Sequence, residues 1–119
     1  IICATKQSGI DVAATTNGVL FNKKLADETL KYFSWIKVSI NGVTKGTYAM
    51  IHQSNPEDLD RVIKNMAYAA NLKRRKGYTC AMGMQLLLLP ENCAEVIGLA
   101  KKARDIGMDY LDDPVYGDP

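Results

Sequence analysis

Trp35-Ile36-Lys37-Val38-Ser39-Ile40-Asn41-Gly42 is the stretch on which the fold turns. Ile36, Val38 and Ile40 fall on one face of an extended segment, and Lys37, Ser39 and Asn41 on the other. A period of two marks a strand with one apolar face. Two more segments split the same way. In Ile10–Asn17, Ile10, Val12 and Ala14 oppose Asp11, Ala13, Thr15 and Asn17. In Thr79–Leu86, Cys80, Met82, Met84 and Leu86 oppose Thr79, Ala81, Gly83 and Gln85. A parallel strand covered by helices on both faces is apolar on both. One apolar and one small or polar face suits a barrel wall, with helices outside and a lumen that accepts a ligand.

The first two strands close on Asn-Gly, at Thr15-Thr16-Asn17-Gly18 and at Asn41-Gly42. Two strands that finish on polar residues at one edge of a sheet make a ligand shelf, where α/β sheets bind small molecules. Asn-Gly is also ordinary turn chemistry, and spacing alone does not separate the two readings.

Around these strands the chain repeats one punctuation: a helix tail carrying Lys, then Gly, then a strand. It occurs at Ala4–Gly9 into Ile10–Asn17, at Leu72–Gly77 into Tyr78–Leu88, and at Lys101–Gly107 into Met108–Leu111. Glycine just past a helix takes the left-handed conformation that ends it. A further helix around Lys23–Phe33 leads into Trp35–Asn41. Asn55-Pro56-Glu57-Asp58 is a helix start, with Leu59, Val62, Ile63, Met66, Ala69 and Ala70 behind it at helical spacing. Another helix starts at Pro90-Glu91 and is expected to bury Val96, Ile97, Ala100 and Ala103. Met66, Met82 and Met84 read as core filler. The fold class is therefore α/β, a partial (half) barrel of about four parallel strands with right-handed crossovers, and residues 1–119 form one unit. Ile1-Ile2-Cys3-Ala4 reads as the end of a helix, and Asp112-Asp113-Pro114 stops the last strand, so the chain reads as a segment of a larger barrel.

Bulk numbers narrow the partners. The 119 residues are 47% hydrophobic and 24% charged, with net charge +2. The one basic cluster, Lys73-Arg74-Arg75-Lys76, falls where a helix ends, complements its dipole, and lacks the aromatic platform of a nucleic-acid surface. Cys3, Cys80 and Cys93 are scattered and His52 is the only histidine, so no metal-ligand pattern exists. Cys80 and Cys93 read as small apolar residues of a reduced interior. No long apolar run or signal peptide is present, so no membrane partner and a cytoplasmic location are expected.

With these residues in view, the chain resembles the central part of the barrel domain of radical S-adenosylmethionine enzymes of the cofactor-maturation and sulfatase-maturation type. The resemblance runs through Thr15-Thr16-Asn17-Gly18-Val19-Leu20, then Val38-Ser39-Ile40-Asn41-Gly42 with Thr44 and Tyr48. It continues through Ile51-His52 and the helix from Pro56 to Leu88-Leu89-Pro90-Glu91-Asn92. It implies S-adenosylmethionine and a [4Fe–4S] cluster as cofactors of an intact member. Ser39, Gln85 and Asn41 would then bind the cofactor, and Thr16 and Asn17 would lie towards the substrate. Hydroxyl and amide groups of this kind can hydrogen-bond a ribose or a carboxylate.

The chain departs from the family in four places. It has no CxxxCxxC loop and no Gly-Gly-Glu segment, Gln53 follows His52 where Arg is usual, and Leu111-Asp112-Asp113-Pro114 is more acidic than the family pattern. A cluster needs thiolates in close array, so no catalytic or metal residue is assigned and no radical chemistry is expected of this chain alone. Three readings follow: a partial member of the family, a small-molecule module binding a nucleoside or S-adenosylmethionine, and a structural, self-associating half-barrel. Open sheet edges and a half-exposed lumen lead us to expect a homodimer, through paired edges or through lumen faces enclosing Thr15, Lys37, Ser39 and Gln85. The competing arrangement is a monomer whose tail, Asp112 to Pro119, folds over one edge.

Overall fold

A computed structural model describes residues 12–42, 44–52, 55–86, 89–90 and 92–112. Four strands, β1 (Val12–Thr16), β2 (Phe33–Ser39), β3 (Ala81–Gln85) and β4 (Tyr110–Asp112), form one sheet in the order β1-β2-β3-β4. All three pairings are parallel. The α/β class with four parallel strands is therefore shown. Among the described residues the sheet is open, with β1 and β4 as its outer strands. The expectations for Ile1–Gly9, Gln53 and the tail from Asp113 lie outside the described residues.

The helices are α1 (Lys23–Thr29), α2 (Lys45–His52), α3 (Asp58–Lys76) and α4 (Val96–Ile106). They share one core with the even-numbered residues of the strands. Ile36, Val38, Ile40, Met82 and Met84 pack with Ala26, Tyr48, Leu59, Val62, Met66, Ala69, Leu99 and Ala103. Burying each large aliphatic or thioether side chain contributes about 1.5–3 kcal/mol. Truncating Met66, fully buried on the helix from Asp58 to Lys76, to Ala would cost about 2–5 kcal/mol. Among the described residues no helix packs on the odd-numbered face, termed the uncovered face below: Trp35 is 39% exposed, and Lys37, Ser39 and Gln85 are half-buried.

Local chemistry sets the boundaries. Asn22 caps α1, its Oδ1 accepting from Leu25 N at 3.0 Å. That helix ends at Thr29 and tightens into a 3-10 turn over Leu30–Tyr32, so Phe33 already belongs to β2 and the expected Lys23–Phe33 helix is shorter. In α3, Asp58 and Asp60 sit at the positive end, Lys73, Arg74, Arg75 and Lys76 at the negative end, and Gly77 closes it at φ 70°.

Two expectations about helices and one about a cysteine are corrected. The short helix α2, which no sequence signal announced, forms after Gly42, with Thr44 Oγ1 accepting from Thr47 N at 3.3 Å. The last helix begins at Val96, not at Pro90-Glu91, because Asn92 turns the chain back through Asn92 N to Leu89 O and Glu95 N to Asn92 O. Its phase moves accordingly: Leu99 and Ala103 are buried, whereas Ile97 is 71% exposed and Ala100 is exposed. Cys80 is buried as expected, but Cys93 is exposed.

Candidate functional site

Parallel register sorts the sequence-predicted residues. Ser39 stands opposite Gln85, and Gln85 opposite Asp112, forming the row nearest the C-terminal edge of the uncovered face. Below it Thr15, Lys37, Gly83 and Tyr110 form a second row, and Ala13, Trp35 and Ala81 a third. The ladder continues one step past the strands, with Ile40 N donating to Gln85 O at 3.0 Å. The Ser39 hydroxyl and the Gln85 amide are thus held side by side on a backbone that cannot shift without breaking the sheet.

Thr16 and Asn17 are not part of that row. Thr16 stands in register with Val38, on the helix-packed face, and its Oγ1 accepts from Gly18 N at 3.1 Å. Asn17 is exposed and its Oδ1 accepts from Val19 N at 3.0 Å. Both side chains stabilise the β1–α1 turn, in which Gly18 takes φ +80°. A Cβ at Gly18 would lie 2.8 Å from Val38 Cγ2, so close approach as well as conformation requires glycine there. Asn65 of α3 fastens the same turn from behind, its Nδ2 donating to Gly18 O at 2.8 Å and Val19 O at 3.0 Å.

Asn41 lies just past β2, only 8% exposed, and supports the shelf. Its carbonyl accepts from Asn92 Nδ2 at 3.0 Å, and its Nδ2 lies 3.5 Å from His52 Nε2. Asn92 is fully buried, and its Oδ1 accepts from Leu89 N at 2.8 Å. His52 stacks on Tyr48 with ring centroids 4.4 Å apart, and burial lowers its pKa below the ordinary 6.5. That favours the neutral ring, whose Nε2 can accept from the Asn41 amide. Glu95 Oε1 accepts from Thr44 N at 3.2 Å, a second tie between the loops after β2 and β3. Gly42 sits under α2, where a Cβ would come within 2.9 Å of Tyr48 N.

His52, Asn65, Asn92 and Glu95 were missed as positioning residues by sequence reasoning. Only His52, the sole histidine, and Asn92, directly after the Leu-Pro-Glu run, carried any signal.

The opposite edge of the sheet is built differently. Asp109 Oδ2 accepts from Met82 N at 2.7 Å and from Lys73 Nζ at 2.6 Å, while Asp109 N donates to Met82 O at 2.7 Å. Partial burial raises the pKa of this carboxyl, but Lys73 and the Met82 amide outweigh it and hold the group below its ordinary range. Grooves of about 340 and 330 Å³ flank Asp109. They lie at the C-termini of α3 and α4, beside the Lys73–Asp109 pair.

A [4Fe–4S] cluster does not fit the described residues: Cys80 is buried before β3 and Cys93 exposed beyond its other end. No three His, Cys, Asp or Glu side chains converge among the described residues as a metal site. Among them, no helix is long and apolar enough to cross a membrane. Neither a scan against models of known protein families nor a sequence search of curated proteins finds a match for this chain.

Proposed function

We propose that the uncovered face of the sheet binds a nucleoside-bearing ligand of the S-adenosylmethionine type, as part of a (β/α) barrel resembling those of radical S-adenosylmethionine enzymes. The observation that carries this reading is the pairing of Ser39 and Gln85 on adjacent parallel strands, at the C-terminal edge of a face that no helix covers among the described residues. A serine hydroxyl and a glutamine amide supply donors and acceptors to ribose hydroxyls or to a carboxylate. Singly wound order, with consecutive strands adjacent and the described helices on one face, supports the barrel part. Asn41 contributes from beneath, and Thr16 and Asn17 shape the neighbouring turn. No reaction step is assigned to this chain, since its described cysteines do not converge.

Calorimetric titration of S-adenosylmethionine tests the proposal. The wild-type chain is expected to bind, with Gln85→Leu about tenfold weaker and Ser39→Ala several-fold weaker, each having lost a hydrogen bond in a partly dry site. Absence of wild-type binding, or equal affinity in both variants, overturns it. The second reading is a homodimer closed through the same face, favoured by Trp35, a large ring left 39% exposed. Light scattering across a dilution series reads it: a dimer mass at micromolar concentration supports face-to-face closure, and a monomer mass removes it.

A further inference from the structure

We propose that the groove between the C-termini of α3 and α4 binds single-stranded nucleic acid, holding the phosphodiester backbone on Arg74 and Lys76 and one base on Tyr78. It lies at the edge of the sheet opposite Ser39 and Gln85, and it stands apart from the ligand proposed there.

Small residues make the groove. Its volume is about 340 Å³, within the range of small-molecule sites, and Ala70, Gly77 and Gly107 line it together with Arg74 and Tyr78. A Cβ on Gly77 would meet open space, and one on Gly107 would lie 3.2 Å from Ala70 Cβ. Arg74 Nη1 lies 3.7 Å from that same position on Gly107, so the guanidinium reaches across to the end of α4.

Tyr78 stands two residues past the basic cluster, where the helix has already ended. Gly77 turns the chain at φ 70°, and Tyr78 N donates to Lys73 O at 3.0 Å. That turn sets a half-buried ring in the groove with Arg74. It supplies the aromatic partner that Lys73-Arg74-Arg75-Lys76 lacks within its own helix. A cationic groove with an aromatic ring for a base is how proteins hold single strands without reading their sequence.

The ion pairs around the groove decide which charges are open. Lys73 Nζ is committed to Asp109 at 2.6 Å, and Arg104 Nε lies 3.7 Å from Asp105. Arg75 turns to the Tyr68 hydroxyl, which itself donates to Asp27. Arg74 and Lys76 are exposed, and neither side chain has an ion pair or hydrogen bond among the described residues. These two open cations equal the net charge of the whole chain, +2. The carbonyl ends of α3 and α4 carry partial negative charge, which disfavours a dianion here. A phosphodiester, with one negative charge per group, therefore suits the groove better than a terminal phosphate.

Fluorescence anisotropy of a short labelled oligothymidylate, titrated with the full chain at about 50 to 200 mM salt, tests the inference. Counterion release from two phosphates gives a log–log slope of about −1.4, a roughly sevenfold loss of affinity across that range. Arg74→Gln should halve the slope and bind several-fold more weakly. Tyr78→Leu should bind about tenfold more weakly at an unchanged slope, since a stacked base is lost and no charge is. Tyr78→Phe should bind as the wild type does. No saturable anisotropy change at the lowest salt overturns the inference without reliance on any variant. Displacement of the probe by oligoglutamate as effectively as by unlabelled oligothymidylate overturns it too, and makes this rim a surface for acidic peptides. Unchanged affinity and slope in a chain carrying both Arg74→Gln and Lys76→Gln, at two exposed positions, is the third refuting result.

Discussion

Replacing Asn92 tests the C-terminal edge most directly, because this side chain is fully buried and joins two loops. Its Oδ1 accepts from Leu89 N at 2.8 Å and its Nδ2 donates to Asn41 O at 3.0 Å. Asn92→Ala removes both contacts and leaves a part-buried donor, Leu89 N, and a buried acceptor, Asn41 O, without them. Each such group costs about 1–3 kcal/mol when fully buried, and since the Leu89 amide is only part-buried the expected loss is roughly 2–4 kcal/mol. Against a domain stability of about 5–15 kcal/mol, that is a large fraction. With a urea slope of about 2 kcal/mol per molar, the unfolding midpoint falls by roughly 1–2 M.

Asn92→Asp sharpens the test, since it keeps the acceptor for Leu89 N but sets an oxygen against the Asn41 carbonyl. Burial and that carbonyl both disfavour the carboxylate, so the folded pKa of the new acid is raised above its unfolded value. The penalty of this variant is then full above the raised pKa and shrinks as pH falls through it, because the neutral carboxyl can donate to Asn41 O. Urea unfolding of wild type and both variants, from about pH 4 to 7, reads these effects. A loss below about 0.5 kcal/mol in Asn92→Ala, the range of an ordinary surface change, refutes the reasoning. So does an Asn92→Asp penalty that does not vary with pH.

Three further outcomes are expected. Gly18→Ala, strained at φ +80° and only 2.8 Å from Val38 Cγ2, should cost more than Gly77→Ala, strained at φ +70° with no atom near. The costs are about 2–4 and about 1–2 kcal/mol by urea unfolding, and a reversed order would count against the packing described. Burial pushes the Cys80 thiol up to about 11, so alkylation followed by peptide mass mapping at neutral pH should label exposed Cys93 first, and equal rates would contradict it. The folded pKa of His52 lies below 6.5, so between the two values the unfolded chain binds more protons. Its contribution is complete above 6.5 and is lost as pH falls through the folded pKa; a His52→Gln chain should lack that dependence in urea midpoints measured across this range.

The strand faces are legible in the sequence because a period of two reports directly on which side meets the core. Ile36, Val38, Ile40, Met82 and Met84 are all buried, while Lys37, Ser39 and Gln85 are not. The α3 stripe is legible for the same reason at a period near 3.6, and Gly77 and Gly107 both close helices at positive φ. Periodicity fails where a helix is short or its start is set from elsewhere. In α2 only Tyr48 is buried, which leaves no stripe to read. In α4, Val96 and Ile97 are both apolar, and the phase was decided by the 3-10 turn that Asn92 and Glu95 build before it.

The supporting network of the shelf was beyond any local pattern. Asn92 reaches Asn41, and Glu95 reaches Thr44, across 51 residues, and Asn65 reaches Gly18 across 47. Periodicity compares residues a few positions apart, so it carries no information on such pairs. Topology does carry it, at lower resolution. Once consecutive strands are parallel neighbours, the loops after them emerge side by side at one edge, and their buried polar groups must find partners in the adjacent loop or in the helix beneath. Asn41, nearly buried at a strand end, therefore already required a partner from the β3–α4 loop or from the α2 helix. Asn92 and His52 are the residues that those two elements supply.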